Sequence, residues 1–169
     1  MQTTVKLYTL RYDQAGTYLA ATLFAIGNII LPQLFHLVPQ GGITWLPIYF
    51  FTLIAAYKYG WQAGLLTAAL SPTVNSILFG MPAPAMLPVI LTKSILLALA
   101  AGYIAHRFRR VSILLIASAV LLYQALGTLC EWAMVGDLHR AIQDLRIGFP
   151  GIMLQIFGGY LFIKYLIRR

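Results

Sequence analysis

The chain has 169 residues, 60% of them hydrophobic and only 9% charged, with a formal net charge of +8. A soluble domain carries about 25% charged residues because its surface faces water, so a water-soluble globule is excluded and most of the surface must face lipid. Net basicity on a soluble chain would point to nucleic acid; here the cations lie between apolar stretches, where membrane topology accounts for them.

A helix needs about 20 apolar residues to cross about 30 Å of hydrocarbon, and six stretches are predicted to do so. After a polar-leaning tail comes Ala15 to Leu37, too long for a cleavable signal and without a small-residue cleavage pattern before Pro32-Gln33. Small residues recur one turn apart in it, at Gly16 and Ala20 and at Ala21 and Ala25, a spacing that lets helix backbones approach closely in lipid. The second stretch, Ile43 to Tyr57, is short and holds Pro47. The third, Trp61 to Phe79, holds Pro72 and is expected to kink there. The fourth runs from Pro84 to Ile104, the fifth from Val111 to Met134 and the sixth from Ile147 to Ile167. No segment alternates in polarity for the ten or so residues of a membrane β-strand. The expected fold is therefore all-α, one compact bundle of six transmembrane helices spanning residues 1–169 as a single domain. Its one cysteine, Cys130, rules out an internal disulfide or a CxxC redox centre.

Charge placement orients the bundle. With both termini cytoplasmic, the inside carries Lys6, Arg11, Lys58, Arg107, Arg109, Arg110, Lys164, Arg168 and Arg169, and the loops outside carry only Arg140 and Arg146. That distribution follows the positive-inside rule and an even number of spans, and places a multi-pass protein in the cytoplasmic (cell) membrane. The outer loops are then His36 to Gly42, Gly80 to Ala83 and Val135 to Arg146. In the last, Asp137 is placed to cap a short helix bearing Leu138, Ala141, Ile142 and Leu145. That helix is either a lid over a pocket or a surface connector.

Ionisable residues inside a membrane are costly and rare, which makes them informative. Lys93 lies about 13 Å below the outer end of the fourth stretch at about 1.5 Å per residue, and Glu131 lies near the outer end of the fifth. Either the two pair to fix helix packing, or Lys93 meets an anionic group of a ligand in an outward-facing cavity. Other polar and aromatic residues gather at the outer half: Gln33, His36, Trp45, Tyr49, Asn75, Gln124 and Gln155. Convergent polar groups with an apolar lining suit a small-molecule site, although Trp45 also fits an interface anchor. Catalysis lacks a constellation. The histidines His36, His106 and His139 have no HExxH spacing, the acids Asp13, Glu131, Asp137 and Asp144 are scattered, and no Walker A motif is present. A binding protein without metal or cofactor is expected, not an enzyme.

A series of spaced elements adds a family. Ile30-Leu31-Pro32-Gln33-Leu34-Phe35-His36, Trp45-Leu46-Pro47-Ile48, Tyr59-Gly60 through Gly64-Leu65-Leu66-Thr67, Leu70-Ser71-Pro72 and Gly80-Met81-Pro82 through Met86-Leu87-Pro88 follow one another in order. Together they resemble the substrate-binding S components of energy-coupling factor (ECF) importers, over Ile30 to about Arg107. The resemblance implies a six-helix bundle that binds a vitamin or similar micronutrient at its outer face. It also implies a membrane-embedded coupling subunit, two cytoplasmic ABC ATPases and a small-xxx-small contact on the first helix, matched here by Ala21 and Ala25. Where such proteins often carry Glu after the Leu-Pro element of the fourth helix, this chain has Lys93, which leans toward a ligand with a carboxylate or phosphate. The competing class is a structural six-helix membrane protein of the cell-shape type, which needs no pocket and would pair Lys93 internally.

Overall fold

A computed structural model describes residues 5–167, so Arg168 and Arg169 of the expected inner charge set lie outside the described residues. Among the described residues every regular element is helical: α1 (Ala15–Phe35), α2 (Gly41–Trp45), α3 (Phe50–Tyr59), α4 (Trp61–Phe79), α5 (Leu87–Phe108), α6 (Ile113–Val135), α7 (Leu138–Ala141), α8 (Gln143–Arg146) and α9 (Phe149–Leu166). Four of them, α1, α5, α6 and α9, are long and apolar enough to cross a membrane. Their outward faces are apolar, with Leu19, Leu23 and Ile30 exposed on α1 and Leu114 and Leu129 exposed on α6.

The second and third of the six expected stretches differ from the other four for identifiable reasons. The second is broken. Pro47 disfavours the right-handed helical region for the residue before it, and Leu46 adopts φ 47° and ψ 45°, so α2 stops there and a short 3-10 turn over Pro47–Tyr49 leads into α3. The resulting α3 has only 10 residues, yet every residue from Thr52 to Lys58 is buried, because α1, α4 and α5 pack around it. In α4 the length is sufficient at 19 residues, but Gln62, Thr67, Ser71, Thr73, Asn75 and Ser76 dilute its apolar character. Helix α4 remains helical through Pro72, which was expected to mark a kink; the Ser71 hydroxyl donates to the Thr67 carbonyl at 2.8 Å and that of Thr73 to Ala69 at 2.7 Å. Pro72 has no N–H to donate to the Ala68 carbonyl, and both hydroxyl bonds fall on the carbonyls that flank it.

Asn28 ties three of these helices together. It lies on the buried stripe of α1 formed by Thr17, Ala20, Ala21, Ala25, Asn28 and Pro32, spaced by one turn or less. Its amide donates to the hydroxyls of Thr52 on α3 (2.9 Å) and Ser71 on α4 (3.2 Å), and its Oδ1 accepts from the Phe51 backbone N–H at 3.0 Å. Helix α3 has no side-chain N-cap of its own, so Asn28 supplies from α1 an acceptor that the first turn needs.

The basic residues collect at one end of the bundle. There the segment before α1 is not a free polar tail: Tyr8 and Leu10 donate their N–H groups to the carbonyls of Lys58 (2.8 Å) and Tyr59 (3.0 Å) at the end of α3. Lys58, one of the inner cations, is fully buried, with its ammonium on the Lys6 carbonyl and 5.4 Å from the Tyr8 ring. His106 of α5 and Arg109 just after it line a small hollow with Leu7 and Tyr8 at the same end, and the Tyr57 hydroxyl donates to the Arg110 carbonyl at 2.9 Å.

Candidate functional site

At the opposite end lies a cavity of about 610 Å³. It forms because the α2–α3 break draws the chain aside: Leu46, Pro47 and Tyr49 make one wall, and the α4–α5 connection supplies Met81 and Met86 opposite. His36 at the end of α1 lines it as well. The chain between α6 and α9 contributes Arg140, Gln143 and Asp144, so this loop lines part of the cavity in addition to connecting helices. Asp137 caps α7 as expected, its Oδ1 accepting from His139 N at 2.8 Å and Arg140 N at 3.3 Å. The expected single amphipathic helix is split at Ile142 into α7 and α8, leaving Leu138 and Leu145 exposed and Ala141 buried.

An ion cluster occupies the deep side of the cavity. The ammonium of Lys93 on α5 pairs with Glu131 on α6 and with Asp144 on α8, the latter at 2.7 Å. Space for the lysine stem comes from Gly127, one turn before Glu131 on the same face of α6; a Cβ there would sit 2.9 Å from Lys93 Cγ. The pairing with Glu131 left open by the sequence is therefore present, and Asp144 is a second partner that the sequence did not single out. With two carboxylates on one ammonium, the charge expected to attract an anion is already compensated.

The other candidate residues fall into separate groups. Tyr49 lines the cavity and packs its ring 5.7 Å from that of Tyr123, whose hydroxyl donates to Gln155 Oε1 at 2.9 Å. Gln155, in a π-helical turn of α9, and Gln124 of α6 are buried behind the cavity wall and do not line it. Gln155 Nε2 and both polar atoms of Gln124 have no partner among the described residues. Gln33 and Asn75 bond to each other at 3.3 Å, and Asn75 donates to the Asn28 carbonyl at 2.9 Å, which makes them part of the α1–α4 joint. Trp45 packs its ring 5.5 Å from Phe35 and does not line the cavity. Ala21 and Ala25, expected to face a coupling subunit, are buried on the stripe that α1 turns into the bundle; the Ala21 carbonyl lies 3.4 Å from the Thr67 hydroxyl of α4. Their small size serves the close approach of α1 and α4. Ala21→Trp is therefore expected to lower thermal stability by about 1–3 kcal/mol through overpacking. Unchanged melting with impaired uptake would instead put Ala21 on a partner-facing surface.

Three residues were not assigned to the site or its supporting joints by the sequence: Asp144, Arg140 and Asn28. An Asn in the middle of a mostly apolar helix is a signal in itself, because an unpartnered amide in lipid is costly. Asp144 offered no comparable signal, being one polar residue in a polar loop. No group of three or more His, Cys, Asp or Glu is placed to hold a metal ion among the described residues. Chemically, the arrangement offers an apolar chamber with a few fixed polar groups, the usual make-up of a small-molecule site. Compared with known proteins, the chain matches no family model, no curated protein and no solved structure.

Proposed function

We propose that the chain is the membrane-embedded substrate-binding subunit of an ECF-type importer, capturing a vitamin or similar micronutrient for ATP-driven uptake without transforming it. On this reading the broken α2–α3 segment and α4 complete six crossings of the cell membrane, with both termini inside. A coupling subunit and two ABC ATPases complete the importer, and the coupling subunit meets the lipid-facing side of α1. The observation that carries the reading is the cavity at the end of the bundle away from the basic residues, which the positive-inside rule makes the outer end. Native mass spectrometry of the purified chain tests it: a small molecule that copurifies, and leaves on denaturation, is expected.

Orientation has its own check. In a Cys130→Ser background, single cysteines placed from 137 to 145 are expected to react with an impermeant thiol reagent added outside, and cysteines at 107 to 110 to remain unlabelled. The reverse pattern would turn the cavity inward and remove the basis for uptake.

One observation favours a second reading, a structural membrane protein of the cell-shape type: Lys93 is satisfied within the chain. That reading gives the cavity no occupant, so a ligand-free protein in native mass spectrometry would favour it.

A further inference from the structure

The cavity presents hydrogen-bond acceptors and negative charge at its deep side. Each carboxylate of the ion cluster commits one oxygen to Lys93, Oε2 of Glu131 and Oδ2 of Asp144. The other oxygens, Oε1 and Oδ1, accept no hydrogen bond among the described residues, and both residues line the cavity. Side-chain exposure is only 7% for Glu131 and 16% for Asp144, so water meets this surplus charge only in part. A buried charge without a partner is unfavourable unless a counter-charge or donors reach it.

Among the described residues, no hydrogen bond from Tyr49, His36 or Gln143, donors that also line the cavity, reaches either oxygen. Arg140 is the other cation lining the cavity, but its side chain is 66% exposed and its Nε lies 4.0 Å from Asp137 outside the cavity. It belongs to the rim. The ammonium of Lys93 is shared between both carboxylates already, and an anion brought to it would face the two free oxygens. A bare metal ion would find two carboxylates beside a fixed ammonium, with no third acidic, histidine or cysteine ligand placed to join them among the described residues. Around the charged floor the walls carry the apolar and aromatic side chains of Leu46, Tyr49, Met81, Met86 and Val89, beside the polar His36 and Gln143.

We infer that the cavity takes a small amphiphilic cation, an ammonium- or amidinium-bearing molecule with an apolar or aromatic body, whose N–H groups bind Oε1 of Glu131 and Oδ1 of Asp144. The inference rests on the reading of the cavity as a ligand site and replaces the anionic ligand expected from Lys93 alone. The body lies against Tyr49 and the two methionines, where a ring gains polarizable contact. The cationic end neutralises the cluster, completing two negative and two positive charges.

The test uses the full chain in detergent and three probes on one frame: phenylbutylamine, phenylbutanol and phenylbutyrate, each titrated by calorimetry. The amine is expected to bind about ten- to a hundred-fold tighter than the alcohol, the range of a charge-assisted hydrogen bond, and the butyrate to bind weakest. Glu131→Gln and Asp144→Asn are each expected to lower affinity for the amine about tenfold, or more, and leave the alcohol unchanged. Butyrate binding tightest would overturn the cation assignment while keeping the cavity as a ligand site, with Lys93 as its contact. Equal binding of all three would also overturn it, as recognition by apolar contact alone. No binding of any probe would overturn both the inference and the ligand-site reading. The probe series on the unaltered chain decides the matter even where a variant does not fold.

Discussion

Lys93→Met is expected to destabilise the folded bundle by about 3–5 kcal/mol, the range for removing one partner of a buried ion pair. Methionine keeps the length and apolar stem that Gly127 accommodates, so the loss reports the charge. Without the ammonium, Glu131 and Asp144 face each other as two partly buried carboxylates, and each is left unpaired as well as repelled. Thermal unfolding in detergent, followed by circular dichroism, measures the effect. Adding Glu131→Gln is expected to recover only part of the loss, because Asp144 remains without a cation. Adding Asp144→Asn as well is expected to recover most of it, since replacing a whole buried ion cluster by neutral groups of similar volume is close to neutral. Full recovery in the double variant would show that Asp144 is not a partner. A Lys93→Met protein as stable as its parent would show that the cluster is not formed.

The second large effect is expected at Asn28. Asn28→Leu preserves approximate size but strands the Phe51 N–H and removes the donor from the Thr52 and Ser71 hydroxyls. An unsatisfied buried donor costs about 1–3 kcal/mol; with the loosened hydroxyls the expected loss is about 2–4 kcal/mol, at the upper part of what single substitutions do. Amide exchange separates this from a general weakening. Protection at Phe51 is expected to fall furthest, because α3 has no other side chain capping its first turn. Unchanged melting and unchanged protection at Phe51 would remove the capping role. The position contains no ligand contact, so its effect on ligand affinity follows stability alone.

Much of the fold was legible because hydrophobicity is a local property of the chain. The stretch Trp61 to Phe79 is α4 residue for residue, and Asp137 caps a helix where its position before Leu138 indicates. Boundaries moved where turn chemistry intervened. The fourth stretch starts at Leu87 and not Pro84, because residues 84–86 form a turn with Met86 and Leu87 donating to the Ala83 carbonyl. Pro47 marks the second stretch as interrupted, but its conversion into a short helix buried from Thr52 to Lys58 depends on α1, α4 and α5 closing around it.

The site divides along the same line. The sequence by itself determined that Lys93 and Glu131 lie in apolar stretches where a charge needs a partner, that His36 and Tyr49 stand near the same end, and that the cations favour the other end. Only the tertiary structure decided which partner each buried group finds. Asp144 reaches Lys93 because the loop after α6 breaks at Ile142 and folds back to line part of the cavity. Gln33 and Asn75 turn toward each other, and Ala21 and Ala25 turn toward α4, because the face of α1 that carries Asn28 is the one that packs inward. The physical reason is a difference of range. Transfer of apolar side chains and placement of cations depend on each segment's own composition, whereas a hydrogen bond or ion pair requires two groups within about 3 Å, a distance that only the crossing of particular helix faces sets.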